Sequence, residues 1–419
     1  MLQRTYKEIN EWRNWWSGWQ NMDFSLLLLV VGLTLFGGLI IQSTELRQGL
    51  TDWWQHWLIG GVGLVLALII ARCRYEFLIQ WHWITYALTN ISLISVMIIG
   101  HTAKGAQRWL TIGGFNVQPS EFAKVALIIT MAALLHERPA STLNAVFRAL
   151  AITSVPWALV FLQPDLGTSL VFGAITLGML YWGNANPGWL VLMVSPIFSA
   201  VFYNLYLPGW LVWVSLMCLV AWFTLPWNKI GTLVILALNG AAGAVGGFLW
   251  NMLEDYQKAR LVLFLDPEQD PLGGGYHLIQ SRIAIGAGEL WGQGLFGGTQ
   301  TQLNFIPEQH TDFIFSAVGE ELGFIGSISL LIVFWLVCLR LIIIAQNAKE
   351  NFGSLLAVGV LSMIAFQVFV NIGMTIGLSP ITGLPLPWLS YGRSALLANF
   401  LAIGLVESVA NHRPRRHFN

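Results

Sequence analysis

Twelve apolar runs, each long enough to cross a bilayer as a helix, alternate with short polar connections along this chain: 24–43, 57–72, 83–100, 121–136, 147–162, 168–182, 188–206, 208–225, 230–251, 313–338, 353–377 and 394–410. The pattern predicts an all-α polytopic membrane protein, a bundle of about twelve transmembrane helices forming one membrane domain over 1–419. Ten is the alternative count, because several runs are short or closely spaced. Two stretches break the rhythm. Residues 252–312 are rich in Asp, Gly and Gln, and connections of such length are usually either functional or disordered. Residues 371–394 are punctuated by Gly373, Gly377, Pro380, Gly383, Pro385, Pro387 and Gly392. These residues interrupt a helix, so the segment is expected to be re-entrant, buried in protein or lining a wet cavity beside the polar stretch.

Composition agrees with the pattern. At 419 residues, 56% hydrophobic, 10% charged and mean hydropathy +0.65, the chain has too few charges to coat a water-soluble globule. Its 21 Trp and 24 Phe suit aromatic belts at the membrane surface, and zero formal net charge argues against a nucleic-acid partner. Cys73, Cys218 and Cys338 lie far apart, so no disulfide framework or metal site follows from them. The first apolar run begins after Asp23 and lacks a small-residue cleavage site, which makes it an uncleaved span. Trp12, Trp15, Trp16 and Trp19 would share one face of a short interfacial helix in the 1–23 segment, or serve as a generic aromatic flank.

Charge sets the expected orientation. With twelve spans, one side collects Arg4, Lys7, Arg13, Arg72, Arg74, Arg138, Arg148, Lys229, Arg340, Lys349, Arg413, Arg415 and Arg416. The other has only Arg47, Lys104, Arg108, Lys258, Arg260 and Arg282. The positive-inside rule then predicts cytoplasmic termini, including the 411–419 tail, and an extracytoplasmic 252–312 loop.

Polar residues concentrate on that outward side. The hairpin HTAKGAQRWLTIGGFNVQPSEFAKVAL carries Lys104 and Arg108 and then opens a helix at Pro119. Glu121 suits the first helical turn, but Lys124 lies inside an apolar span, where ionisable side chains are costly. The two can pair at i, i+3 as a structural ion pair, or face a polar substrate cavity. Asp165 sits in FLQPDLGTSL, where ordinary turn chemistry is the favoured reading. Glu308, His310, Thr311 and Asp312 precede a span containing Glu320 and Glu321, whose directions differ by about 100° on a helix. His310 invites a general-base role, although capping or orienting is the favoured reading.

The long polar stretch carries Asp266-Pro267 and Asp270-Pro271, then Gly273, Gly274 and Gly275, then Gly286, Gly288, Gly292, Gly294, Gly297 and Gly298. Such glycines let backbone approach a ligand, and successive N–H groups can cradle phosphate; a tightly folded loop explains them nearly as well. No P-loop pattern is present.

Taken together, KGAQRWL, QPSEFAK, QPDLGTS, DPLGGGYHLIQS, GQGLFGGTQTQLNFIPEQHTDFIF, EELGFIG and GLPLPWLSYG resemble the RodA/FtsW family of shape, elongation, division and sporulation proteins, over about residues 24–410. The KGAQRWL form looks more like RodA than FtsW. The resemblance implies a peptidoglycan glycosyltransferase of the bacterial plasma membrane, which joins lipid II units into glycan strands during elongation and releases polyprenyl diphosphate. It puts the family's catalytic Asp, the general base of the DP-x-G-x-GY motif, on Asp270. Lys104, Arg108, Glu121, Lys124, Asp165 and Glu320 match other polar positions of the family's central cavity, the region expected to bind substrate together with His310. It further implies a divalent cation, Mg²⁺ or Mn²⁺, and a class B penicillin-binding protein as transpeptidase partner.

Reaction chemistry suits that assignment. A carboxylate can take the proton of an attacking sugar hydroxyl, and cations can stabilise the departing diphosphate. Two features depart from the family. Three apolar runs, rather than one, lie between the QPDLG turn's span and the polar stretch, and Arg393 stands in Tyr391-Gly392-Arg393-Ser394 where the family usually shows a second Gly. The added charge either assists diphosphate binding or snorkels outward. The rival functions are a lipid II flippase, which charged spans and a broken segment also fit, and a non-enzymatic scaffold, which would not need Asp270.

Overall fold

The structure, a computed structural model, describes residues 21–45, 53–103, 106–113, 115–252, 258, 266–271, 275–303 and 305–413. Twelve long helices occur among the described residues, one on each predicted run. They are α1 (Phe24–Glu45), α2 (Trp53–Arg72), α3 (Leu78–Ile99), α4 (Pro119–Glu137), α5 (Leu143–Leu162), α6 (Leu166–Trp182), α7 (Pro187–Leu205), α8 (Leu207–Thr224), α9 (Asn228–Met252), α12 (Ile314–Gln346), α13 (Asn351–Ile376) and α14 (Arg393–Asn411). Nine of the spans searched have the length and apolar character to cross a membrane, and the protein is a multi-pass membrane protein. Exposed apolar side chains such as Leu28, Ile98 and Phe223 form its lipid-facing surface.

Local chemistry explains where several helices begin and end. Pro119 and Pro187 open α4 and α7, where a missing N–H costs nothing. The side chains of Thr142, Asp165 and Asn186 cap α5, α6 and α7 by accepting from Ala145, Thr168 and Gly188 N–H. Helix α13 stops at Gly377, whose φ of 83° is left-handed, and Leu378 N–H closes the turn on Gly373 O at 2.7 Å.

Helices α4, α13 and α14 form the interior, with buried residues around nearly their whole circumference. Helix α14 packs most extensively on α2, α3 on α4, and α12 on α13. The three runs that stand where the family resemblance implies one fold as α7–α9, a side unit around Leu192, Met217, Ala221 and Ile235. Polar glue joins its helices: Asn239 Nδ2 donates to Ser195 Oγ at 3.1 Å, and Ser199 Oγ donates to Asn239 O at 2.9 Å.

The polar segments carry more structure than the sequence pattern suggested. The hairpin before α4 is a three-stranded antiparallel sheet, β1 (His101–Ala103), β2 (Ala106–Ile112) and β3 (Phe115–Val117), in the order β1-β2-β3. The 252–312 stretch, expected as a loop, contains helices α10 (Tyr276–Ala287) and α11 (Thr299–Gln302). Helix α10 buries Leu278, Ser281 and Ala284 at a spacing of three, against α12 and α13. Its flanking glycines concealed that short amphipathic period. Residues 378–392, between α13 and α14, are non-helical and buried or half-buried except for Leu378, the irregular backbone within protein that the Pro and Gly pattern predicts. His56 Nε2 bonds Trp388 O at 3.1 Å there, which ties the segment to α2.

Candidate functional site

The sheet, the 378–392 segment, α10 and α11 all lie at the same end of the bundle, opposite the described N- and C-terminal residues. Two groups of polar side chains meet at that end. In the first, β2 lays Arg108 across the turn that precedes α6. Arg108 Nε donates to Gln163 O at 3.2 Å, Nη2 donates to Pro164 O, and Nη1 lies 3.7 Å from Asp165 Oδ1. Asp165 also accepts from Thr168 N–H at 3.2 Å, Thr168 Oγ1 at 3.0 Å and Gln118 Nε2 at 3.3 Å. It is both a helix cap and the meeting point of three elements, so the turn reading of its motif holds while its pairing extends further. Gln118 N–H in turn donates to Ser394 Oγ at 3.0 Å, joining α4 to the start of α14.

One turn into α4, Lys124 Nζ lies 2.8 Å from Glu121 Oε2, and both residues are buried. The i, i+3 pair that the sequence allows is therefore formed. Its attraction offsets the cost of placing an ammonium among apolar helices.

The second group surrounds the end of α1. His310 Nδ1 is 2.8 Å from Glu45 Oε1, and its ring meets Tyr391 edge-on at 5.9 Å. Gln309 Nε2 donates to Thr44 O at 2.7 Å and Thr301 O at 3.1 Å. Ser43 Oγ donates to Glu321, and Gln302 Nε2 donates to Ser43 O at 3.0 Å. Glu320 accepts from Gln300 N–H at 2.7 Å, from Thr301 N–H at 2.8 Å and from the Thr301 hydroxyl. Both its oxygens are thus engaged in capping α11. Glu320 and Glu321 point apart, as their adjacency on a helix requires.

Gly288, Gly292, Gly297 and Gly298 of the 286–298 run are packed too closely to carry a side chain. Helix α12 is kinked at Gly323, with φ 65° and ψ −162°, which frees carbonyls from the helical ladder. Gln293 and Gly294 N–H take up the carbonyls of Glu320 and Glu321 at 3.0 and 2.9 Å, and Phe324 N–H donates to Glu289 O at 2.9 Å. A Cβ on Gly288 would stand 1.9 Å from Gly319 O, and one on Gly292 2.2 Å from Glu321 O. These contacts are the close backbone packing that a tightly folded loop requires.

Asp270 lies on the remaining polar turn. A short 3-10 turn, Pro267–Gln269, ends at Asp270, whose carbonyl accepts Gly275 N–H at 3.0 Å. A Cβ on Gly275 would meet Pro267 O at 2.2 Å, which accounts for glycine at the end of DPLGGG. Asp270 and Asp266 are exposed. Lys104, Gly273, Gly274 and the tryptophans of the N-terminal segment lie outside the described residues.

Of the residues singled out in the sequence, the structure joins Arg108 to Asp165, Glu121 to Lys124 and His310 to Glu45. Gln118, Glu45, Ser43 and Gln309 escaped sequence reasoning. Their signal was faint: Gln118 stood in a quoted motif, and Ser43 and Glu45 form a polar end to the first apolar run.

Known proteins share this architecture. The family described as cell cycle protein, spanning FtsW, RodA and SpoVE, matches residues 20–210 and 189–415. The chain is 37% identical over 398 residues to peptidoglycan glycosyltransferase MrdB of Escherichia coli, covering 94% of each chain. It is 33% identical to peptidoglycan glycosyltransferase RodA of Treponema pallidum, covering 94% of this chain and 98% of that one. Among solved structures it is similar to a chain of a peptidoglycan synthase complex that coordinates polymerization and crosslinking. That match has TM-score 0.69 and 28% identity over 94% of this chain and 98% of the other.

Proposed function

The chain belongs to the FtsW/RodA/SpoVE family, and from that premise we propose that it is the peptidoglycan glycosyltransferase of cell elongation, polymerising lipid II at the outer face of the bacterial plasma membrane. The observation that carries this reading is its end-to-end similarity to relatives named peptidoglycan glycosyltransferases. The polar end of the bundle then faces outward and both termini are cytoplasmic, in line with the distribution of Lys and Arg.

In the proposed reaction Asp270 accepts the proton of the attacking sugar hydroxyl as that oxygen bonds to the anomeric carbon of the donor. The bond from that carbon to the diphosphate oxygen breaks, and polyprenyl diphosphate leaves. A carboxylate in hydrogen-bond reach is a competent base for this step. The turn pinned by Gly275 holds the Asp270 backbone on an exposed surface. Arg108 supplies positive charge where the diphosphate develops its own, and Lys104, four residues before it in the sequence, is proposed to add to it. The Glu121–Lys124 and His310–Glu45 pairs hold α4 and the end of α1 around the substrate region, and the cap on Glu320 fixes the segment leading to His310.

A divalent cation, Mg²⁺ or Mn²⁺, is proposed to enter with the diphosphate. Its ligands would be substrate phosphate oxygens with an exposed carboxylate such as Asp270, the oxygen donors that hard cations take; among the described residues no three His, Cys, Asp or Glu side chains converge. When bound, the ion would neutralise the leaving group. The proposed partner is a class B penicillin-binding protein supplying transpeptidation, supported by the similar chain's place in a synthase complex.

Polymerisation of lipid II by the purified full-length chain, with its transpeptidase partner and divalent cation present, tests the proposal. Glycan strands are the expected product. Lipid II crossing sealed vesicles with no polymer formed would instead favour transport.

A further inference from the structure

Arg393 is the first residue of α14. Its Nε donates to Tyr391 Oη at 3.2 Å, and its guanidinium carbon stands 5.9 Å from the centre of the Phe115 ring. Tyr391 is itself fixed: its N–H donates to His310 O at 2.9 Å and its hydroxyl to Gln55 Oε1 at 3.4 Å. An arginine that merely snorkels from a helix end keeps a mobile head in water. This one is held by a phenol on one side and an aromatic face from the sheet on the other.

Among the described residues, the carboxylates around Arg393 already have other partners. Asp165 is engaged by Arg108, Glu121 by Lys124 and Glu45 by His310, and no carboxylate among the described residues pairs with Arg393. A guanidinium carries five N–H donors, of which only Nε–H has a hydrogen-bond partner among the described residues. The two terminal nitrogens form a planar fork that matches two phosphate oxygens. Ser394, the next residue, accepts from Gln118, whose side chain bonds the Asp165 that Arg108 contacts. The two hydrogen bonds of Gln118 and the Asp165–Arg108 ion contact therefore connect the start of α14, where Arg393 sits, to the turn that Arg108 crosses.

We propose that Arg393 binds the diphosphate of the lipid-linked substrate, as a recognition residue at the start of α14. The inference rests on the glycosyltransferase reading, and its test separates the two. Inorganic diphosphate binding to the full chain in nanodiscs is measured for wild type, Arg393→Gln and Arg393→Lys, alongside lipid II polymerisation kinetics and thermal stability.

The expected result for Arg393→Gln is a roughly tenfold rise in KM for lipid II and in the diphosphate dissociation constant, with the loss falling in KM rather than kcat. Lys, which keeps the charge but loses the fork, should fall between. Unchanged KM and diphosphate binding in Arg393→Gln would overturn the proposal. A lowered melting temperature with both constants unchanged would overturn it too, assigning Arg393 to bracing Tyr391. Weaker stabilisation by phosphatidylglycerol nanodiscs with diphosphate binding intact would assign it to a lipid headgroup. A wild type that makes no glycan refutes the enzyme reading, while the diphosphate comparison still decides on Arg393.

Discussion

Lys124 and Glu121 lie inside α4 with their charges 2.8 Å apart and almost no exposure to solvent. Removing one partner strands the other as a buried charge, a loss of about 3–5 kcal/mol. Lys124→Met should therefore lower the melting temperature of the purified protein sharply, and adding Glu121→Gln should restore much of it. A single variant as stable as wild type would contradict the structural weight given to the pair. This pair was legible in the sequence because its partners are three residues apart on one helix. The cap formed by Glu320 was not, because its donors at 299–301 lie on a segment whose pattern reads as loop. The His310–Glu45 pairing was equally hidden, since it joins residues that only the packing of α1 brings together.

The kink of α12 and the run 288–298 form one interlocked element. Gly323 at φ 65° would place a Cβ 2.3 Å from Gly292 N, so Gly323→Ala must displace either the helix or the run docked on it. Left-handed strain alone costs about 1–3 kcal/mol, and steric displacement adds to it. The expected outcome is faster hydrogen exchange at Gln293, Gly294 and Phe324, whose N–H groups bridge the two segments. Unaltered protection at those amides would refute the interlock. At this scale the long helices were readable from apolar runs alone, since membrane spans must satisfy their backbone internally. Glycine density was ambiguous, because a glycine needed for close backbone packing looks in sequence like one needed for a ligand. Leu278, Ser281 and Ala284 announced α10 only weakly, as two of the three are small.

The whole molecule divides into a polar, structured end and an opposite end where the described termini meet. There Arg340 pairs with the buried carboxylate of Asp23, and Asp23 N–H donates to Glu407 at 2.8 Å, clamping α1, α12 and α14 together. The proposed orientation places this end in the cytoplasm. Cys73 is exposed near it, while Glu268 is exposed on the turn before Asp270. A membrane-impermeant maleimide should label a Glu268→Cys variant in intact spheroplasts and reach Cys73 only after permeabilisation, and the reverse order would contradict the orientation. The bundle and its family were legible because hydropathy and seven motifs run the length of the chain. What pairs with what at the polar end was not, because each contact joins distant segments.

Asp270, on its glycine-pinned turn, is the proposed base for glycan polymerisation. The most direct measurement is lipid II polymerisation by purified Asp270→Asn beside wild type, with the two matched for melting temperature. Asn fills the same space but cannot take the proton, so the rate should fall by about 10²-fold or more with the fold intact. Polymerisation by Asp270→Asn at the wild-type rate would contradict the account.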